Sequence, residues 1–303
     1  MTSDHPGTPR AAIVDSHHHV WDLTVRPQPW LDSHPDLAPL RRKFSTADLA
    51  PLAAAAGVTA TVVIQTMPGP GETPEMLALA ASDPLVAAVV GWTDLTAPDI
   101  ADVLAGLLAL PHGERLAGIR HPALIEPEVD WHDQPEVRRG MAALGAAGLS
   151  YDVVGRQEQF PSAARAADAV PDTLFVLDHF GNVEVEPVMD AAWLAAFRRF
   201  GALPNTVAKL SGILSMPAPD GHAAGRGDGD GSPPVAHLRP YADLMLESFG
   251  PDRMMFGSDW PVSTIGAPYS RVVATARALI SELSPAEQEQ IMSGTARRVY
   301  RLA

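Results

Sequence analysis

Eight short apolar runs punctuate the chain, and Ala- and Leu-rich stretches of helical spacing separate them. The runs are Ala12–Asp15, Thr59–Gln65, Val86–Trp92, Leu116–Arg120, Leu149–Val153, Thr173–Asp178, Thr206–Leu210 and Met254–Gly257. Most are apolar throughout, the pattern of parallel strands covered on both faces. Helical spacing appears in Ser45–Ala56, Met76–Ala81, Ile100–Leu110, Gln134–Ala147, Phe160–Val170 and Ala191–Phe200. Ser45 and Asp48 have capping-box spacing, with Asp in place of the preferred Glu. Gly57 and Gly148 stand where helix C-caps belong. Ser284 and Pro285 start a last helix over Pro285–Tyr300.

Eight strand–helix units in 303 residues predict an α/β protein with a (β/α)8 TIM barrel. That fold usually takes about 250 residues plus insertions. An open doubly wound sheet is the alternative, but no Gly-rich dinucleotide fingerprint follows the first run. Residues 1–10 read as a disordered polar lead-in, and residues 11–303 as one barrel domain. Two insertions interrupt the units. Leu23–Phe44 is rich in Pro and Trp; Met216–Pro234 is rich in Gly and Pro and reads as a mobile loop at the barrel mouth.

Composition narrows the function. A net charge of −14 argues against nucleic acid and anionic membranes as partners, and only weakly against an anionic small-molecule substrate, because local arginines override the global field. No run approaches the roughly 18 apolar residues of a membrane span. Met1–Arg10 lacks the apolar core of a signal peptide, so a cytoplasmic location is expected. Cysteine is absent, which leaves His, carboxylate or carbonyl groups to hold any metal. Only Lys43 and Lys209 are lysines. Nothing in the sequence fixes the oligomeric state, and a homo-oligomer is compatible with it.

Barrel active sites lie at the C-terminal ends of the strands, so the residues that end each run are the candidates. In order they are His17 and His19; Gln65; Trp92 and Asp94; Arg120 and His121; Tyr151 and Asp152; Asp178 and His179; Lys209 and Ser211; Asp259 and Trp260. Extended backbone alternates its side chains, so His17 and His19 share a face and His18 points away. His17, His19, His179 and Asp259 form a donor set suited to one Zn²⁺ or Mn²⁺ with an open position for water. Asp259 alternatively moves a proton between water and leaving group. Arg120 and Lys209 supply fixed positive charge, and Trp21, Trp30, Trp92 and Trp260 offer aromatic faces for stacking. His121, Tyr151 and Trp260 complete the expected substrate-binding set, and His34, His112, His132 and His222 are expected in solvated loops.

The segment Ile13-Val14-Asp15-Ser16-His17-His18-His19-Val20-Trp21-Asp22 resembles the start of the amidohydrolase superfamily. Gly118-Ile119-Arg120-His121, Leu177-Asp178-His179-Phe180-Gly181, Lys209-Leu210-Ser211-Gly212 and Met255-Phe256-Gly257-Ser258-Asp259-Trp260-Pro261 follow in order. The ordered set is similar to the branch containing fuconolactonase, rhamnonolactonase and pyrone-dicarboxylate lactonase. The resemblance implies a distorted barrel and hydrolysis. It places His17, His19 and His179 around a metal or reactive water, with Asp259 as general acid and base. The chain departs from the wider superfamily in two places. Strand 4 carries Arg120-His121 where others have a carbamylated lysine, and strand 5 ends in Tyr151-Asp152 where others have a histidine. Both departures point to one metal or none, so metal-independent catalysis stays open.

The expected activity is opening of a lactone ring, with a neutral sugar-acid lactone favoured over a dicarboxylate. A decarboxylase of the same superfamily, acting on an aromatic or muconate-type acid, is the first alternative. A non-catalytic metal-binding barrel is the second.

Overall fold

The computed structural model describes residues 12–182, 189–212, 214–215 and 235–302. The expected lead-in 1–10 and the loop 216–234 fall outside the described residues. Eight parallel strands follow one another in sequence order around a barrel: β1 (Ile13–His18), β2 (Val58–Ile64), β3 (Val86–Gly91), β4 (Leu116–Pro122), β5 (Ser150–Val154), β6 (Phe175–Leu177), β7 (Thr206–Leu210) and β8 (Met254–Phe256). The ring closes just past β8, where the Asp259 N–H donates to the His17 carbonyl at 2.8 Å and the His19 N–H to the Trp260 carbonyl at 2.7 Å.

Two apolar layers explain the uninterrupted runs. Val62, Ile64, Ala88, Val90, Val176 and Val207 pack with one another in one cluster. Their neighbours Val63, Val89, Phe175 and Ala208 pack in the other, with the helices. Each strand therefore buries both faces, inward on the barrel axis and outward on the helical shell. Ala296, Val299 and Tyr300 of the C-terminal helix join the inner cluster and plug the end of the barrel away from the histidines.

The helices Thr46–Ala56, Ile100–Leu108, Pro135–Ala146, Phe160–Ala169 and Ala191–Ala202 lie where the spacing predicts them, and Glu72–Ser82 extends its prediction N-terminally. Ser45 and Asp48 form the expected capping box, and Gly57 caps its helix at φ 82°. Two further helices, Val235–Phe249 and Tyr269–Leu279, escape the sequence reading; the first carries Pro240 inside it and follows directly on the Gly-rich stretch. The last helix starts at Ser284 and Pro285 as expected, but a π turn over Gln290–Gly294 splits it. The insertion after β1 folds as two 3-10 turns, Pro29–Asp32 and Pro35–Leu40, which carry Trp30 to the barrel mouth.

Candidate active site

Four side chains from three sectors of the barrel converge at the strand ends. His17 Nε2 lies 3.2 Å from His19 Nε2. Asp259 Oδ1 lies 3.9 Å from His17 Nε2, 3.6 Å from His19 Nε2 and 3.7 Å from His179 Nε2. His17 reaches this position through an irregularity. Val14 belongs to the inner cluster, so strict alternation would put Ser16 and His18 on the same side. The pairing register of β1 with β2 shifts between Asp15 and His18, and His17 takes the inward place.

Unusual backbone aims the other two. His179, Phe180, Gly181 and Asn182 all adopt positive φ, at 49°, 56°, 69° and 52°. Asp259 does so at 58°. Left-handed backbone is strained for any residue with a Cβ, by about 1–2 kcal/mol. Such strain persists only where its surroundings hold it, and it concentrates at functional sites. Gly212 presses against the His179 ring: a Cβ there would lie 2.7 Å from His179 Nδ1. His179 Nδ1 is also within 2.9 Å of Ser211 Oγ.

Beneath the histidines lies a buried ionic layer. Lys209 Nζ donates to Asp152 Oδ2 at 2.6 Å and sits 2.9 Å from Asp178 Oδ1. Asp178 Oδ1 is 3.3 Å from His17 Nδ1, and Arg120 Nη1 donates to Asp178 Oδ2 at 3.2 Å. The Tyr300 hydroxyl donates to Asp152 at 2.7 Å. Burial pushes the Asp178 carboxyl up, but Lys209 and His17 outweigh it and hold the group well below the usual carboxylate range. Asp259 behaves alike: burial raises it, and His179, His19 and Ser215 together bring it below its ordinary value. Burial holds His17 and His179 below the ordinary imidazole value. Neutral His17 and His179 rings therefore face an ionised carboxylate at neutral pH.

This donor chemistry fits a divalent cation. His17, His19 and Asp259 bring one ligand atom each within 4.8 Å of one another, as do His17, Asp178 and His179. His19 Nδ1 is 2.9 Å from the Ile64 carbonyl, which only accepts. The His19 proton is thereby fixed on Nδ1, and Nε2 keeps its lone pair for the site.

A cavity of about 680 Å³ opens above this cluster; His19, Thr66, Arg120, His179, Asn182, Ser215 and Asp259 supply its polar lining. Of the residues expected to hold substrate, Arg120 lines it and four others lie elsewhere. Lys209 is fully buried, its donors taken by Asp152, Asp178 and His17. Tyr151 points outward from β5, edge-on to Phe175 and His132 in the outer core. His121, one residue past the inward Arg120, stacks on Trp131 and contacts Glu126 at 2.8 Å. Trp260 packs edge-on to Phe44 beneath the surface. Among the four candidate tryptophans, Trp30 lines the cavity. His132 is buried and close to Ser162 Oγ, not solvated. His18 is buried as well, and burial lowers it to about 3.

Sequence reasoning did not pick out Ser215, whose hydroxyl donates to Asp259 Oδ2 at 3.1 Å, or Asn182. Both lie in loops beyond strand ends, where no periodicity marks them. Asp152 and Asp178 were visible at the ends of runs, but their partnership with Lys209 was not.

The sequence model of the amidohydrolase family matches residues 14–302. An L-fucono-1,5-lactonase of Burkholderia multivorans is 34% identical over 299 residues, which cover 96% of this chain and 97% of that protein. An L-fucono-1,5-lactonase of Burkholderia ambifaria is 29% identical over 293 residues, 95% of each chain. The crystal structure of a Burkholderia multivorans amidohydrolase with bound zinc superposes with a TM-score of 0.86 at 34% identity, covering 97% of this chain and 100% of that one. Among the described residues, no helix is long and apolar enough to cross a membrane. With the eight-stranded barrel and the histidine–aspartate cluster at its mouth, the match over nearly the whole length settles the family: the chain belongs to the amidohydrolases.

Proposed function

We propose that this protein is a lactonase that opens the cyclic ester of a sugar-acid lactone. One observation carries the reading: an ionised Asp259 stands within 4 Å of three imidazole Nε2 atoms on the polar floor of a cavity sized for a small molecule. The names of the two Burkholderia relatives support the substrate class.

The lactone carbonyl lies over the histidines, with Arg120 beside it. Asp259 takes a proton from water as the water oxygen bonds to the carbonyl carbon. Collapse of the adduct breaks the ring C–O bond, and Asp259 returns the proton to the departing ring oxygen. The product is a hydroxy acid, and its new carboxylate faces the Arg120 guanidinium. Asp178 and Lys209 act from beneath by holding His17 and Arg120 in place. His17, His19 and Asp259 would hold a divalent ion, with His179 beside them. Such an ion supplies a Lewis acid and lowers the pKa of its water toward 7. Zinc or manganese as the ion, carbohydrate metabolism and a cytoplasmic location belong to the same proposal.

The test is a pH-indicator assay on a panel of sugar and aromatic lactones, run with and without chelator. Wild-type protein should release acid from at least one lactone, and Asp259→Asn should lower kcat by about 10²–10⁴ with an unchanged circular dichroism spectrum. Normal hydrolysis by Asp259→Asn sinks the mechanism. Carbon dioxide release from an aromatic acid, with no lactone opened, would replace the reading by a decarboxylase.

A further inference from the structure

The cavity is chemically two-sided. Its floor is the polar cluster already described. Its walls include Trp30, Met67, Leu124, Ile125, Val154 and Val262, which come from the segments after β1, β2, β4 and β8 and from the end of β5. Trp30 donates its indole N–H to Gln28 at 2.7 Å, so only the ring remains for the cavity. Leu124 and Ile125 are 42% and 53% exposed, apolar side chains held open at the rim. Cavities of about 300–1,000 Å³ bury drug-sized ligands, and 680 Å³ leaves space beyond a single hydroxylated ring.

A fully hydroxylated lactone suits the floor and not the walls. Hydroxyls turned toward this collar would exchange water for carbon and go unpaired. An alkyl or aryl arm would instead remove apolar surface from water on both partners.

We propose that the site takes a lactone carrying an apolar substituent, with the ring ester on the His–Asp–Arg floor and the substituent along Trp30, Leu124 and Ile125 toward the mouth. This inference rests on the lactonase reading and narrows its substrate class from sugar-acid lactones at large to amphipathic lactones, apolar on the side away from the ester.

The experiment compares two matched series of six-membered lactones with the full chain. One series carries methyl, ethyl, propyl or butyl on the carbon next to the ring oxygen; the other carries hydroxylated arms of equal length. In the alkyl series kcat/KM should rise roughly fourfold per methylene, and in the hydroxylated series it should not. The double variant Leu124→Ser, Ile125→Ser, which changes two partly exposed side chains, should flatten the alkyl slope. Turnover of the hydroxylated series with a flat or falling alkyl slope overturns the inference and leaves the lactonase reading standing. An alkyl slope that the double variant leaves intact overturns the assigned location. Failure to open either series overturns this inference, and failure on the sugar and aromatic lactone panel as well overturns the lactonase reading with it.

Discussion

Lys209 Nζ sits 3.1 Å from His17 Nδ1, at the bottom of the site. An ammonium only donates, so this contact favours a lone pair on Nδ1 and a proton on Nε2, whereas Arg120 Nη1, 3.4 Å from Nε2, also only donates and favours the reverse. A proton on Nε2 would meet the lone pair of His19 Nε2 at 3.2 Å. The Ile64 carbonyl orders the His19 ring, and the His17 ring is held between Lys209 at Nδ1 and Arg120 at Nε2. Asp178 Oδ1, 3.3 Å from the same Nδ1, favours the opposite tautomer, the one that frees Nε2 for a cation. Lys209→Met should leave Asp152 an uncompensated buried charge and Asp178 with Arg120 alone, and destabilise the fold by about 3–5 kcal/mol. Adding Asp152→Asn should recover part of the loss. Urea unfolding of the single and double variants measures both, and additive losses would show that the two groups are uncoupled.

Gly212 tests the aim of His179. Alanine there would meet strained backbone at φ 66° and a Cβ contact of 2.7 Å with the ring. Gly212→Ala should cost about 1–2 kcal/mol of stability and shift the imidazole away from Asp259. We expect a folded protein whose kcat falls at least tenfold, as misplacement of a reacting group predicts. Steady-state kinetics with near-normal kcat would mean that His179 does not need its present position.

Cation binding should appear as stability. With zinc in hundredfold excess over its Kd, mass action adds about 2.7 kcal/mol to folding. A thermal melt with zinc, then with excess chelator, reads the gain and its reversal. His17→Ala and His19→Ala should each abolish the shift. A shift that survives both variants would place the ion elsewhere.

Buried histidines set the acid limit of stability. Burial lowers His18 and His132 from 6.5 to about 3. Between these values the unfolded chain binds protons that the folded chain refuses. Each contribution is therefore complete above pH 6.5 and is lost as pH falls, at about 1.4 kcal/mol per pH unit for each histidine. Both ring nitrogens of His18 lack a hydrogen-bond partner among the described residues. His18→Leu should flatten the acid slope by one histidine's share without a comparable loss at neutral pH. Denaturant titrations between pH 6 and pH 4 on both proteins supply the difference, and equal slopes would refute it.

Much of the barrel was legible because every strand needs apolar residues on both faces and every helix on one. Eight continuous runs, such as Val86–Trp92 and Thr206–Leu210, therefore stand out against stretches such as Ile100–Leu110. The same two-sided burial hid which strand residues face inward. Arg120 lines the cavity while His121 stacks on Trp131; Asp152 meets Lys209 while Tyr151 enters the outer core. No polar–apolar alternation separates such neighbours when both sides are buried.

Strand–helix alternation and the His17–His19 spacing are written in the chain, because backbone periodicity and residue type are local properties. Tertiary structure alone decided that a register shift turns His17 inward and that left-handed turns aim His179 and Asp259. It alone placed Lys209 beneath the site instead of in contact with substrate. Those outcomes depend on distances between residues as much as 242 positions apart, such as His17 and Asp259, which only closure of the barrel brings together.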